Sequence, residues 1–165
     1  VAAIALIAGG LLWANAPIQP LPPNAKADLV VVDKAARTLS LYSNGALIGS
    51  YPVSLGRAPV GAKAREGDHR TPEGRYFVDR HKSDSSFHLA LHVSYPSVQD
   101  STRAQTAGYS PGGDVMIHGM RNGLGWIGRA HSLVNWTNGC VAVTNAQMDQ
   151  IFSAVPDRTP IDFRP

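Results

Sequence analysis

A single cysteine, Cys140, stands among 165 residues. One thiol excludes an internal disulfide framework and leaves either a free reactive group or an intermolecular bridge. Charge is also sparse. Lys and Arg total 15, Asp and Glu total 12, and the net charge is only +3. With no dense Lys/Arg stripe, nucleic acid is excluded as the expected partner. No Asp or Glu occurs between Val115 and Thr144, the stretch that holds the cysteine. The two histidines spaced four apart, His88 and His92, have Leu89 where a zinc protease motif needs glutamate. With one cysteine and no acidic cluster beside them, neither a metal nor a cofactor is expected. Internal repeats are absent as well.

What is present points to turns and strands. Gly 16 and Pro 12 in a chain of this size suit a mainly β or α+β domain with its own core. Residues 1–16 are almost wholly apolar, and nothing ionisable precedes Lys26. Sixteen helical residues reach about 24 Å, short of the ~30 Å hydrocarbon core. That length fits the apolar part of a signal peptide or the tail of a truncated membrane anchor. Ala14-Asn15-Ala16 looks like a cleavage box, but Pro17 hinders the extended pose a peptidase needs, which favours an uncleaved anchor. A buried first helix is the alternative. Residues 17–27, with four prolines, read as a semi-extended spacer. Residues 28–165 read as the folded domain.

Within that domain the pattern predicts strands at Leu29–Val32, Thr38–Tyr42 and Ala46–Ser54, the last two joined by an Asn44-Gly45 type I′ turn. Further strands are expected at Arg75–Val78, Phe87–Val93, Asp114–Ile117, Val141–Val143 and Ile161–Phe163. A short helix is expected over residues 97–107, capped by Ser97 and stopped by Gly108. Thr144-Asn145-Ala146-Gln147 is a capping box for a second helix, whose apolar stripe is Met148, Ile151, Phe152 and Val155.

The chemistry concentrates between Val115 and Thr144. Acyl transfer through sulfur needs a thiolate, and a nearby imidazole supplies it by taking the proton. His118 ends an apolar strand, which fixes it. One ring nitrogen can face the thiol while the other donates to a carbonyl, and with no local carboxylate a main-chain carbonyl is the economical third member. Gly139 permits positive φ and close backbone approach, so the N–H groups of Gly139 and Cys140 can face a developing oxyanion. Thr137 supplies a hydroxyl to fix that turn. His131, beside Arg129, is the rival base. Arg121, Arg129, Trp126 and Trp136, with Gly123, Gly125 and Gly128, form the intervening segment, either a lid over a cleft or a solvated loop with core tryptophans. The plain alternative for Cys140 is a small buried hydrophobe.

Ile117-His118-Gly119 followed by Thr137-Asn138-Gly139-Cys140-Val141 resembles the motif of the YkuD-type L,D-transpeptidase catalytic domain family. The likeness extends over Asp28 to Pro165, through the opening hairpin and the Thr71-Pro72-Glu73-Gly74-Arg75-Tyr76 turn. It implies a β-sandwich-like fold with one or two short helices, in a periplasmic or cell-envelope enzyme. That enzyme would act on peptidoglycan stem peptides through a thioester. By the same resemblance, Cys140 is the nucleophile, His118 the proton acceptor, Gly119 the carbonyl that orients the imidazole and Gly139 part of the oxyanion hole. Thr137, Asn138, Arg121, Arg129 and Trp126 are the candidate substrate contacts. The family's arginine two residues after the cysteine is Ala142 here, so a substrate carboxylate must be met elsewhere, with Arg121 or Arg129 the candidates. Asn138 replaces the frequent His or Ser, and the longer spacing between His118 and Cys140 is closer to the YafK-like branch. Transfer to an amine, hydrolysis by an amidase or carboxypeptidase, and a non-catalytic wall-binding module stay open at this point.

Overall fold

The structure, a computed structural model, describes residues 9–165. Half of the expected apolar leader therefore lies outside the described residues. Residues 9–14 are helical, and no described helix is long and apolar enough to cross a membrane.

Eight strands and two α-helices follow. In chain order the strands are β1 (Leu29–Asp33), β2 (Thr38–Ser43), β3 (Ala46–Pro52), β4 (Gly74–Ser85), β5 (His88–Val93), β6 (Met116–His118), β7 (Val141–Ala142) and β8 (Pro160–Arg164). Helix α1 (Val98–Thr106) lies between β5 and β6, and α2 (Asn145–Ala154) lies between β7 and β8. The mainly β expectation holds.

The strands are ordered β3-β2-β1-β8-β4-β5-β6-β7. Pairing is antiparallel except for β1 with β8 and β6 with β7. Asn44 and Gly45 both take positive φ, 51° and 77°, the backbone that a type I′ turn demands between β2 and β3. Strand β4 is far longer than its apolar start announces. Residues Gly74–Phe77 pair with β8, and Val78 onward pair with β5. A register shift between Val78 and Arg80 bends it, so one strand serves both halves of a curled sheet.

The curl nearly closes on itself. Past β3, Ser54 exchanges two main-chain bonds with Ala142 of β7: Ser54 N–H to Ala142 O at 3.0 Å, and Ala142 N–H to Ser54 O at 2.8 Å. Strand β7 therefore has no open edge at that point.

Alternation then sorts the side chains. Leu91 and Val93 of β5, Ile117 of β6 and Val141 of β7 are wholly buried in one core with Val30, Val32, Leu39, Leu41 and Phe163. Helix α2 adds Met148 and Ile151 to that core. Fully burying such a side chain stabilises the fold by about 1.5–3 kcal/mol. The residues between them, Ala90, His92, Met116, His118 and Ala142, point to the opposite face by the two-residue period. That face carries the site.

The proline-containing residues 17–27 do not stand away from the domain as a spacer. Gln150 Nε2 donates to Gln19 O at 3.0 Å, Lys26 Nζ to Ser153 O at 2.7 Å, and Ala27 N–H to Ala154 O at 2.8 Å. Leu21 packs on the core. The segment is laid along α2 because Lys26 and the Ala27 N–H satisfy the last carbonyls of that helix, while Gln150 satisfies the Gln19 carbonyl.

Candidate active site

Strand pairing brings His118 and Cys140 together. β6 and β7 run parallel with Ile117 opposite Val141 and His118 opposite Ala142. Cys140 stands one step before β7, beside Met116, and is the diagonal neighbour of His118 on the cleft face. Both side chains line one cavity of about 430 Å³, with Lys82, Ser85, Ser86, Phe87, Asp114, Met116, Trp136, Thr137 and Asn138.

His118 is held on every side. Its carbonyl accepts from Val143 N–H at 3.0 Å, the Gly119 N–H donates to Leu89 O at 3.1 Å, and the Met120 N–H donates to Asn145 Oδ1 at 2.8 Å. Asn145 is the first residue of α2, so the Thr144–Gln147 capping box also fixes the turn after the histidine. The imidazole packs against Phe87 and Trp136, with centroids 4.6 Å and 5.9 Å away. Its Nδ1 donates to the Gly119 carbonyl at 2.7 Å, which leaves the lone pair on Nε2. Burial lowers the imidazole pKa below its ordinary value, and the Gly119 carbonyl opposes that only in part.

The thiol is shifted the other way. Burial raises the Cys140 pKa, while a main-chain hydrogen bond from Met116 and the charge of Lys63 pull it down and Asp114 pushes it further up. Cys140 Sγ lies 3.6 Å from Asp114 O. A raised thiol beside a lowered imidazole makes the resting pair neutral: S–H and free base, not thiolate and imidazolium.

The turn before the cysteine is stitched down. Gly139 has φ 133°, and a Cβ there would meet Arg70 O at 2.7 Å, so only glycine fits. Thr137 Oγ1 donates to Cys140 O at 2.7 Å and accepts from Gly139 N–H at 3.1 Å. Thr137 is itself bonded through its main chain to Leu55 and Arg57. The Gly139 N–H, an expected oxyanion donor, is thus engaged by the Thr137 hydroxyl in this structure. Asn138 sits at the mouth with its Oδ1 accepting from Arg57.

The other candidates are dispersed. His131 is buried outside this cavity, its Nδ1 3.2 Å from Ser54 Oγ, and burial holds its pKa down to about 4, with the charges of His118 and Arg37 adding to the shift. With Arg121 and Trp136 it lines a separate, more apolar cavity of about 460 Å³. Arg129 donates to Pro17 O at 3.2 Å. Trp126 is 62% exposed, its carbonyl accepting from Asn15 Nδ2. Trp126, Arg129 and His131 belong to a 3₁₀ segment, Gly125–Leu133, broken at Gly128, where a Cβ would lie 2.2 Å from Ala14 O. His88 pairs with Asp149 at 2.6 Å, and His92 with Asp79 at 2.6 Å and Asp114 at 3.6 Å. Among the described residues no cluster of His, Cys, Asp or Glu suits a metal ion. Phe87, Lys82 and Asp114 reach the cavity without a motif to announce them.

Known proteins share this fold. The chain is 29% identical over 158 residues to the putative L,D-transpeptidase YafK of Escherichia coli K12, a match covering 88% of this chain and 56% of that protein. It superposes on the helical cell shape determining protein Pgp2 from Campylobacter jejuni with TM-score 0.64 at 21% identity, over 94% of this chain and 54% of that one. Bd1075 from Bdellovibrio bacteriovorus gives 0.57 at 25% identity, over 87% and 50%. The chain thus spans about half the length of these relatives. Residues 27–162 match the YkuD model, the L,D-transpeptidase catalytic domain. By the extent of that match, this chain belongs to the YkuD family of L,D-transpeptidase catalytic domains.

Proposed function

We propose that the domain is a cysteine-dependent L,D-transpeptidase acting on peptidoglycan stem peptides at the cell envelope. The observation that carries the reading is the Nδ1 bond from His118 to Gly119 O at 2.7 Å, which leaves Nε2 as a base on the face that bears Cys140. The Cys140 thiol adds to the scissile carbonyl as its proton passes to Nε2. The Cys140 N–H serves the oxyanion, with Gly139 N–H kept by Thr137. The tetrahedral adduct collapses, the C–N bond breaks, and the imidazolium returns the proton to the departing amine. A thioester remains. An incoming amine, or water, repeats the sequence in reverse and frees the thiol.

Asn138 and Trp136 border the cleft and are assigned to substrate contact, and attachment to a membrane is left to residues before the domain. The neutral resting pair means that the free thiol labels slowly with alkylating agents. Capture of an acylated intermediate is therefore the discriminating experiment. The domain is incubated with defined muropeptides and intact protein and products are weighed. A mass increment on Cys140 with cross-linked dimers supports transfer. The same increment with shortened stems indicates hydrolysis. No increment under any condition returns the domain to a wall-binding module.

A further inference from the structure

The register of the cleft face places a charge that no motif marks. Lys82 pairs with Ala90, Ala90 with His118, and His118 with Ala142. These four form one row across β4, β5, β6 and β7, all on the same face. Lys82 therefore stands two strands from the imidazole, about 10 Å at the usual spacing, with only the methyl of Ala90 between. Its side chain lines the cavity that holds Cys140 and His118. At the other end of the row, Ala142 is fully buried and carries no charge.

Lys82 is the one Lys or Arg among the described residues that line this cavity, and two cations next to it are committed. Lys63 is buried and donates to Asp68 Oδ1 at 3.0 Å and Arg65 O at 3.1 Å. Arg57 donates to Asn138 Oδ1. The carboxylate beside Lys82 is Asp84, 3.4 Å away and 84% exposed, a pair of little worth in water. Asp114, an anion lining the cavity on the β6 side, repels a second carboxylate from the thiol end and favours the β4 end for it.

We propose that Lys82 is the specificity-determining cation of this cleft, pairing with a free carboxylate of the acyl-donor peptide within one or two residues of the scissile carbonyl. The assignment rests on the acyl-transfer reading of Cys140 and deepens it by naming an acidic peptide donor.

The test is binding to the Cys140→Ala protein, which holds peptide without turnover. Calorimetric titration uses a tetrapeptide stem with free carboxylates and the same stem with those groups amidated. Adding Lys82→Ala is expected to weaken the free acid about tenfold, as for a lost charge-assisted hydrogen bond, and to leave the amide unchanged. Lys82→Arg is expected to restore the preference. Equal weakening of both peptides, no weakening of either, or no binding of the free acid overturns the proposal. Failure of acylation in the parent protein counts against the thiol mechanism, whereas a normal acyl-enzyme with no charge preference at Lys82 counts against this inference alone.

Discussion

At the scale of single residues, the proposed base His118 and the proposed nucleophile Cys140 set the expected pH behaviour. The base works only while neutral, and burial lowers its pKa. The acidic limb of kcat/KM is therefore expected below the ordinary histidine value of about 6.5, with activity held from neutrality down to that limb. A limb above that value contradicts the buried-base assignment. His118→Ala is expected to slow acylation by about 10²–10⁴-fold, and His131→Ala by less than about tenfold, read by single-turnover mass spectrometry. The reverse ranking transfers the proton to the wrong histidine for this mechanism. Gly139→Ala forces a Cβ to within 2.7 Å of Arg70 O and displaces the thiol. About a hundredfold slower acylation is expected, in line with misplacement of a reacting group by an ångström.

At the scale of elements, α1 depends on one carboxylate. Asp100 accepts from Ser97 N–H at 2.9 Å, Ser97 Oγ at 2.7 Å, Tyr76 Oη at 2.9 Å and Arg103 at 2.6 Å. It closes the capping box and also satisfies a buried phenol on β4. Asp100→Ala removes the cap and strands the Tyr76 hydroxyl, for an expected loss of about 3 kcal/mol in urea unfolding. A loss near that of a surface substitution would show that Tyr76 finds another partner. Thr144 and Gln147 play the equivalent part for α2, with consequences that reach the site, because Asn145 of the same helix holds the Met120 N–H.

At the scale of the whole molecule, closing the sheet buries histidine as a neutral ring. His131 is held to about pKa 4 in the folded chain, first by burial and then by the charges of His118 and Arg37. Unfolded, it titrates near 6.5. The unfolded state therefore binds the extra proton first as pH falls. The stability tied to this group is full above about 6.5 and is lost progressively down to the folded value. Between pH 7.5 and pH 5 the domain is expected to lose about 2 kcal/mol from this site alone. His131→Gln is expected to flatten that slope in denaturant titrations at the two pH values. An unchanged slope would assign the acid sensitivity to other groups.

Much of this was legible from residue order. The Asn44-Gly45 turn, the Thr144 cap and the alternation around Leu91 and Ile117 are local signals, because backbone conformation and side-chain period are decided within a few residues. The Cys140 motif was equally local. Strand β4 past Val78 was not, since Asp79-Arg80-His81-Lys82 carries no apolar pattern and is held as strand by its partner β5. Nor was the packing of residues 17–27 on α2, nor the dispersal of Arg121, Arg129 and Trp126 away from the thiol. The sequence alone determined which groups can do acyl chemistry and the elements that bear them. Only tertiary structure decided which stand together, because the parallel β6–β7 pairing and the Lys82–Ala90–His118–Ala142 row join positions whose register is set by a distant partner strand.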